Sequence, residues 1–424
     1  MLEMKQGDQK KRKNIFLRKE EKIEYFFFDR DGGEFICGKN RLDISKKAAF
    51  LLRCMDGKTN YSGLRQKFKD KFGVELTGED LKIFIQISKR YDLLAKRKNG
   101  CLVSKQSEVF QKNQLRIFKR IKIREPQFAG ICYSSKPKEL KKDLRNCFAL
   151  VDNRRLGVLT NGVSCLKGII VPHSNLDLSG PCAAWAYEAM AKLYLPDLLI
   201  ILAPEHSASI GNPFSVLCKD FLTPLGLVKT CKDFIELLKK KCSFDILVNN
   251  LAHLKEHSIE IQLPFLQYIY RENLDRLKIV PILCAAKPRN PELKSVFDIQ
   301  QKEFICTLKE LITDTHKNVC LIATGDLMHS NNWNLTQQFH QKNKEMMSLL
   351  KQADAESFKL GLSSGGYKSC GKTSFYPFLK LLVSPKVRIM NYSWTSNSIF
   401  LQKNQSKIQY RNIVNIGYVS MIFY

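Results

Sequence analysis

Three stretches decide the fold: LKGIIVPHSN (166–175), DLLIILAPEHS (197–207) and NVCLIATGDLMHS (318–330). Each runs through an apolar segment of strand length and then delivers polar side chains, His173, His206, and Asp326 with His329. From residue 122 onward such apolar runs alternate with amphipathic helical stretches. The expected fold is therefore α/β, with a mostly parallel or mixed sheet sandwiched between helices. In open α/β sheets ligands bind beyond the carboxyl ends of the strands, so the three ends are expected to share one crevice.

A single histidine at a strand end reads best as a satisfied structural group. Three such ends together point to a site. Imidazoles and a carboxylate brought from separate elements are the set that holds iron, copper or zinc and leaves positions open for substrate. Of the seven histidines, His173, His206, His257 and His329 lie in these segments or the next one, so most of the chain's imidazole capacity is concentrated there.

That next segment is AHLKEHSIEIQLPFLQYIY (252–270). If it is helical, His257 and Glu260 share a face and Ile261, Phe265 and Leu266 form the buried stripe. His257 would then serve as a general base or orient substrate, with Glu260 as its acidic neighbour. The plainer alternative is a capping or core role for Glu256 and His257. A rival pattern also exists, since His253, Glu256 and His257 match the H-x-x-E-H spacing of inverzincin proteases. So short a match arises easily by chance, and it leaves His173 and His206 unexplained.

Composition narrows the classes. The chain has 424 residues, 44% hydrophobic and 26% charged, which is ordinary for globular protein and argues against wholesale disorder. No apolar run reaches the length of a membrane span. The opening MLEMKQGDQKKRKN carries no apolar stretch of the kind a secretory signal needs. The fourteen cysteines contain no CxxC pair, and Cys218, Cys284, Cys306 and Cys320 sit in apolar surroundings. Free thiols in a reducing cytoplasm are the economical expectation. The net charge of +28 suits a polyanion partner, but the basic residues are scattered, with mild clusters at 10–13 and 116–124, and nucleic acid is not expected.

Residues 1–23 read as a polar, frayed terminus. Residues 24–104 read as a small unit, with a hairpin joined at Asp31-Gly32-Gly33, a helix ending at Gly57, a second entered at Thr59 and a third capped by Thr77 and Asp80. A hairpin plus three short helices is winged-helix-like. Residues 105–121 read as a basic, Gln-rich linker, and 122–424 as the pocket-bearing domain. The rhythm from Leu51 to Leu94 resembles the PqqD-like domains, and the resemblance implies a module that binds a peptide for a partner enzyme.

The larger domain also resembles a known family. REPQFAGICYSSKPKELKKDL (124–144), VPHSNLDLSGPCAAWAYEAM (171–190), LAPEHS (202–207), TPLG (223–226), EHSIEIQLPFLQ (256–267), GDLMHS (325–330), SCGKTSFYPFL (369–379) and MNYSWTSNS (390–398) stand in the order found in the Memo family. The resemblance implies the three-layer fold of class III extradiol dioxygenases around a non-haem metal pocket. It also implies, for the type called AmmeMemoRadiSam system protein B, a radical SAM protein and a third component as partners. Carried over, His173 and His206 match two metal ligands, with Asp326 expected as the third. His257 stands in the place of the dioxygenase base. His329 belongs to the last site motif as a further catalytic candidate, and Met328 stands where some relatives carry a cysteine ligand. Fe(II) is the expected metal, with copper and zinc as alternatives.

The chain departs from the family at Leu176, Leu178, Ala203, Gly325 and Ser330, and by lacking a proline after Cys370-Gly371. These departures alter the wall of the pocket more than its metal shell. Two functions of different class follow: a metal-dependent oxidoreductase, or a non-catalytic component of a radical SAM modification complex that captures a peptide through residues 24–104. A nucleic-acid binder is the third and least supported.

Overall fold

A computed structural model of the chain describes residues 121–424 apart from 207–211, 249, 289–290, 331–335, 365 and 396–414. Before residue 121 it describes four short strands between 18 and 44, parts of 50–60, residues 61–90 and Phe118. The chain divides into two compact units, Met1–Ile121 and Lys122–Tyr424.

In the first unit, β1 (Arg18–Lys19), β2 (Phe28–Asp29), β3 (Gly32–Cys37) and β4 (Asn40–Ile44) form an antiparallel sheet in the order β1-β4-β3-β2. Gly32 and Gly33 pair with Asp29 and Phe28, so both glycines lie inside β3 and not in the turn where the sequence suggested them. Helix α1 (Tyr61–Phe72) is entered one residue later than expected, because Asn60 and not Thr59 caps it: the Asn60 side chain accepts from the Gly63 N–H at 2.8 Å. Helix α2 (Gly78–Arg90) carries the expected capping box, in which Thr77 Oγ1 accepts from the Asp80 N–H and Asp80 accepts from the Thr77 N–H. Leu51, Leu52, Met55, Leu64, Phe68, Leu76, Leu81, Phe84 and Ile85 make a small core of its own. Most of the expected first helix, of the 1–23 terminus and of the 105–121 linker falls outside the described residues, but Arg18 and Lys19, expected in a frayed terminus, form β1 against β4.

The second unit is built on β5 (Ile123–Arg124), β6 (Gly168–Val171), β7 (Leu198–Pro204), β8 (Phe214–Val216), β9 (Asp220–Thr223), β10 (Gly226–Thr230), β11 (Lys278–Cys284), β12 (Val319–Thr324), β13 (His329–Ser330), β14 (Val387–Trp394) and β15 (Asn415–Phe423). The strand order is β13-β15-β6-β12-β7-β11-β10-β9-β5, with β14 on β15 and β8 on β11. The centre, β6-β12-β7-β11-β10, is parallel throughout, and antiparallel strands flank it. The α/β expectation of a mostly parallel, mixed sheet is therefore met.

The helices of this unit are α3 (Pro137–Phe148), α4 (Asn153–Thr160), α5 (Leu176–Leu193), α6 (Lys232–Lys241), α7 (Leu263–Ile269), α8 (Pro291–Asp314), α9 (Thr336–Gln352), α10 (Ala355–Ser364) and α11 (Lys372–Leu381). Every residue of β7 is buried, which is why its sequence shows no alternation. Leu198, Ile200 and Leu202 share a cluster with Phe375 and Phe378 of α11. Leu199, Ile201 and Ala203 are fully buried too, and must face the opposite side because side chains alternate along a strand. Both faces are thus covered, each large apolar side chain contributing about 1.5–3 kcal/mol. On α3, Leu140, Leu144 and Cys147 form one buried stripe against α5. Close approach there needs Gly180, whose Cβ would stand 2.8 Å from Cys147 Sγ.

No helix among the described residues is long and apolar enough to cross a membrane. Of the cysteines expected in apolar surroundings, Cys284 and Cys320 are buried and Cys218 is half-buried. Cys306 is exposed on α8.

Candidate metal centre

Strands β6, β12 and β7 are adjacent and parallel, and Val171 pairs with Thr324 at their last residues. Their carboxyl ends therefore lie along one edge of the sheet, and the residues just beyond them meet. The rings of His173 and His206 are 5.1 Å apart between centroids, His173 and His257 5.3 Å, and His206 and His257 5.2 Å. His173, Asp326 and His329 come together as well, through Cys370 at the start of α11: its Sγ is 3.3 Å from His173 Nε2 and 3.7 Å from His329 Nε2. Among the described residues, three sets of donor atoms each lie within 4.8 Å of one another: His173, His206 and Cys370; His206, Glu256 and His257; and Asp326, His329 and Cys370.

Asp326, expected as a metal ligand, has both oxygens engaged. Oδ1 accepts from the His173 backbone N–H at 3.0 Å, and Oδ2 from the Ser174 hydroxyl at 2.6 Å. Its own N–H donates to Cys370 Sγ at 3.3 Å. The carboxylate thus ties the β6 end to the β12 end. Burial alone would raise its pKa, yet the neighbouring His173 and His329 and the Ser174 bond leave it below the usual value.

Cys370 is the donor that sequence reasoning missed. It follows no apolar run and lies 44 residues beyond Asp326, and only its place in SCGKTSFYPFL marked it. Its closeness depends on two glycines. A Cβ on Gly325 would fall 2.4 Å from the Gly371 Cα, and one on Gly371 would overlap the Phe375 ring. The family departure at Gly325 is therefore matched by a backbone contact to the segment that bears the thiol. Burial, with Asp326 beside it, pushes the Cys370 thiol well above its ordinary pKa in the metal-free protein.

His173 is buried, and burial lowers its pKa to about 3 against the pull of Asp326. Its Nδ1 is 3.0 Å from Thr324 Oγ1, which also accepts from Gln262 Nε2. His329 is lowered as well, again chiefly by burial. His206 and His257 are more open, with 39% and 26% of their side chains exposed, so access to the centre is from their side.

Glu256 is 2% exposed and accepts at both oxygens from the His206 and Ser258 backbone N–H groups and from ring nitrogens of His206 and His257. Burial pushes its pKa up, but hydrogen bonds from His206 and His257 outweigh this and hold it well below the carboxylate range. For His206 burial acts downward, and the bond to Glu256 more than reverses it.

The segment carrying His257 is not one helix. Asn250–Lys255 and Glu260–Gln262 are short 3-10 turns, and α7 begins only at Leu263, with Pro264 in its first turn. Glu260, expected beside His257 as a catalytic group, is fully buried and turned to another task. Its Oε2 pairs with Arg124 Nη1 at 2.5 Å and accepts from the Gln127 N–H, while Oε1 accepts from the Phe128 N–H and the Tyr133 hydroxyl. Arg124 in turn donates to the carbonyls of His253 and Glu256. The pair locks the Glu256–His257 loop to the start of the unit and leaves no oxygen for chemistry.

His253 lies apart from the donor sets. It is buried, its Nε2 is 3.0 Å from the Ser215 carbonyl, and burial lowers its pKa to about 3. The H-x-x-E-H match thus does not gather its two histidines around one ion among the described residues.

Comparison with known proteins gives a consistent result. A family model described as Memo-like protein matches residues 124–414. A MEMO1 family protein of Thermotoga neapolitana is 33% identical over 215 residues, covering 49% of this chain and 70% of its own length. One of Methanopyrus kandleri is 30% identical over 233 residues, 54% of this chain and 77% of the relative. One of Methanosarcina barkeri is 27% identical over 274 residues, 64% of this chain and 92% of the relative.

Proposed function

The chain belongs to the Memo family, and from that premise we propose that its second unit is a metal-dependent oxidoreductase related to the class III extradiol dioxygenases. His173, His206 and Cys370 would hold a divalent transition metal. The observation that carries this reading is the convergence of two imidazoles and a thiol, from three separate elements, within 4.8 Å at the carboxyl edge of the sheet. The other two sets fit less well, because Glu256 already accepts from four N–H groups, and Asp326, though each oxygen keeps a lone pair, is held by the His173 N–H and the Ser174 hydroxyl.

Two nitrogens and a sulfur suit iron(II), copper and zinc, and the soft sulfur widens the choice beyond the iron(II) expected from a carboxylate ligand. When bound, such a metal supplies Lewis acidity and, if iron or copper, one-electron chemistry. The chain's own groups do the rest. His257, beside the three donors but not among them, moves a proton at its ring nitrogen. Phe128, 5.4 Å from the His257 ring, keeps water from one side of it. His329 stands next to the thiol as a second proton carrier.

Elemental analysis of anaerobically purified protein tests the reading. Wild type should carry one transition metal per chain, and His206→Ala and Cys370→Ser should lose it. Equal metal content in all three proteins would reject the site.

The first unit supports a finer reading. Its separate core and capped helices favour an independent module, in keeping with a peptide-capturing role beside a radical SAM protein and a third component. Titration of the full chain with a peptide substrate of such a complex, followed by fluorescence anisotropy, tests this. No saturable binding would set it aside.

A further inference from the structure

Resting on the reading of His206 as a metal donor, we propose that Glu256 is the positioning residue of the centre, holding His206 and His257 in one and the same tautomer. Its Oε1 is 3.0 Å from His206 Nδ1 and 3.2 Å from His257 Nδ1, and its Oε2 is 3.1 Å from His206 Nδ1. A carboxylate offers only lone pairs, so each ring nitrogen that faces it must carry the hydrogen. Both imidazoles are thereby Nδ1–H, and in the neutral form both keep the Nε2 lone pair. The rings lie within 25° of parallel, 5.2 Å apart. One side chain therefore prepares a metal donor and a proton acceptor together.

Glu256 is itself held from outside the two rings. The His206 N–H (2.7 Å) and Ser258 N–H (3.0 Å) fix its oxygens, and Arg124 holds its carbonyl. At 2% exposure, little water competes for these bonds. The contrast with His173 is informative. The Thr324 hydroxyl facing its Nδ1 can donate or accept, so it does not dictate a tautomer. A ligand imidazole whose second N–H donates to a carboxylate is the better donor to a metal, and removing such a carboxylate commonly weakens metal binding by about 10–100-fold.

The test is a long-range proton–nitrogen spectrum of the metal-free protein, with the His206 and His257 signals assigned from His206→Ala and His257→Ala. Recorded at alkaline pH, where the rings are neutral, both should show a protonated Nδ1 and an unprotonated Nε2. In Glu256→Gln the amide can donate as well as accept, so the Nε2–H form should appear on at least one ring. Zinc affinity should fall by about 10–100-fold, while Glu256→Asp, which keeps the carboxylate, should recover part of both. A neutral ring protonated at Nε2 and not at Nδ1, on either histidine of the wild type, overturns the proposal, and so does a Gln variant with unchanged tautomers and unchanged zinc affinity. If Glu256→Gln does not fold, the wild-type spectrum alone decides. Failure of the wild type to bind zinc, copper or iron(II) overturns the metal reading instead, and the spectrum still reports on Glu256.

Discussion

Removing the guanidinium of Arg124 should unfold the second unit far more readily than an ordinary substitution near the surface. Arg124 and Glu260 are both fully buried, and the pair is closed by five further hydrogen bonds to Glu260 and Arg124 from or to the segments 127–133 and 253–256. Arg124→Met keeps much of the volume but leaves a carboxylate without its cation, a situation that costs about 3–5 kcal/mol. With a urea dependence of about 3 kcal/mol/M for a unit of this size, the midpoint should drop by about 1–1.7 M. All three tryptophans, Trp185, Trp333 and Trp394, lie after residue 122, so their fluorescence follows this unit in the intact chain. The partner variant Glu260→Gln should be costly too. The double variant should lose clearly less than the sum, because neither charge is then stranded. A shift below about 0.3 M for Arg124→Met, or strict additivity, would refute the idea that the pair is a closed, desolvated anchor.

Four further outcomes are expected. Asp326→Asn should keep most of the metal that Cys370→Ser loses, since Asp326 acts through the His173 N–H and Ser174; equal loss in elemental analysis would make Asp326 a ligand. His257→Ala should keep the metal as well, and a protein that loses it there but retains it in His173→Ala would revive the protease pattern. Gly325→Ala should cost about 1–3 kcal/mol in urea unfolding and reduce metal loading, because its Cβ meets the Gly371 backbone; a neutral result would mean that the contact yields freely. Acid should weaken the metal-free second unit below the ordinary histidine range. His173 and His253 titrate near 3 when folded and near 6.5 when unfolded, so the unfolded chain binds more protons and stability falls from pH 6.5 toward 3. Each should remove about 2 kcal/mol between pH 7 and 5, and a flat tryptophan-monitored stability over that interval would contradict their burial as neutral rings.

Much of this was readable in the amino-acid order because strands buried on both faces must be apolar throughout. The residue that ends such a run stands at the sheet edge whatever surrounds it. That is why His173, His206, Asp326 and His329 could be brought together without coordinates. The segment 252–270 was harder. Its apolar spacing suits a helix, and Ile261, Phe265 and Leu266 are indeed buried, but the Arg124–Glu260 bond captures the stretch before α7 and leaves it irregular. A salt bridge across 136 residues has no local periodicity to betray it. Cys370 was obscured for a related reason. Its position depends on a glycine-to-glycine contact between distant segments, and no strand leads up to it.

That glycine contact bears on how selective the centre can be. With Gly325 and Gly371 touching main chain to main chain, the distance between the β12 end and the start of α11 is set by atoms that cannot change rotamer. The thiol is therefore offered on a jaw of fixed gape, while the imidazole of His206 sits on the open side. An ion that is too small or too large finds no adjustment on the sulfur side. Size discrimination would then come from the backbone, and engineering a different metal preference would mean rebuilding positions 325, 371 and 375 as a group before touching any donor.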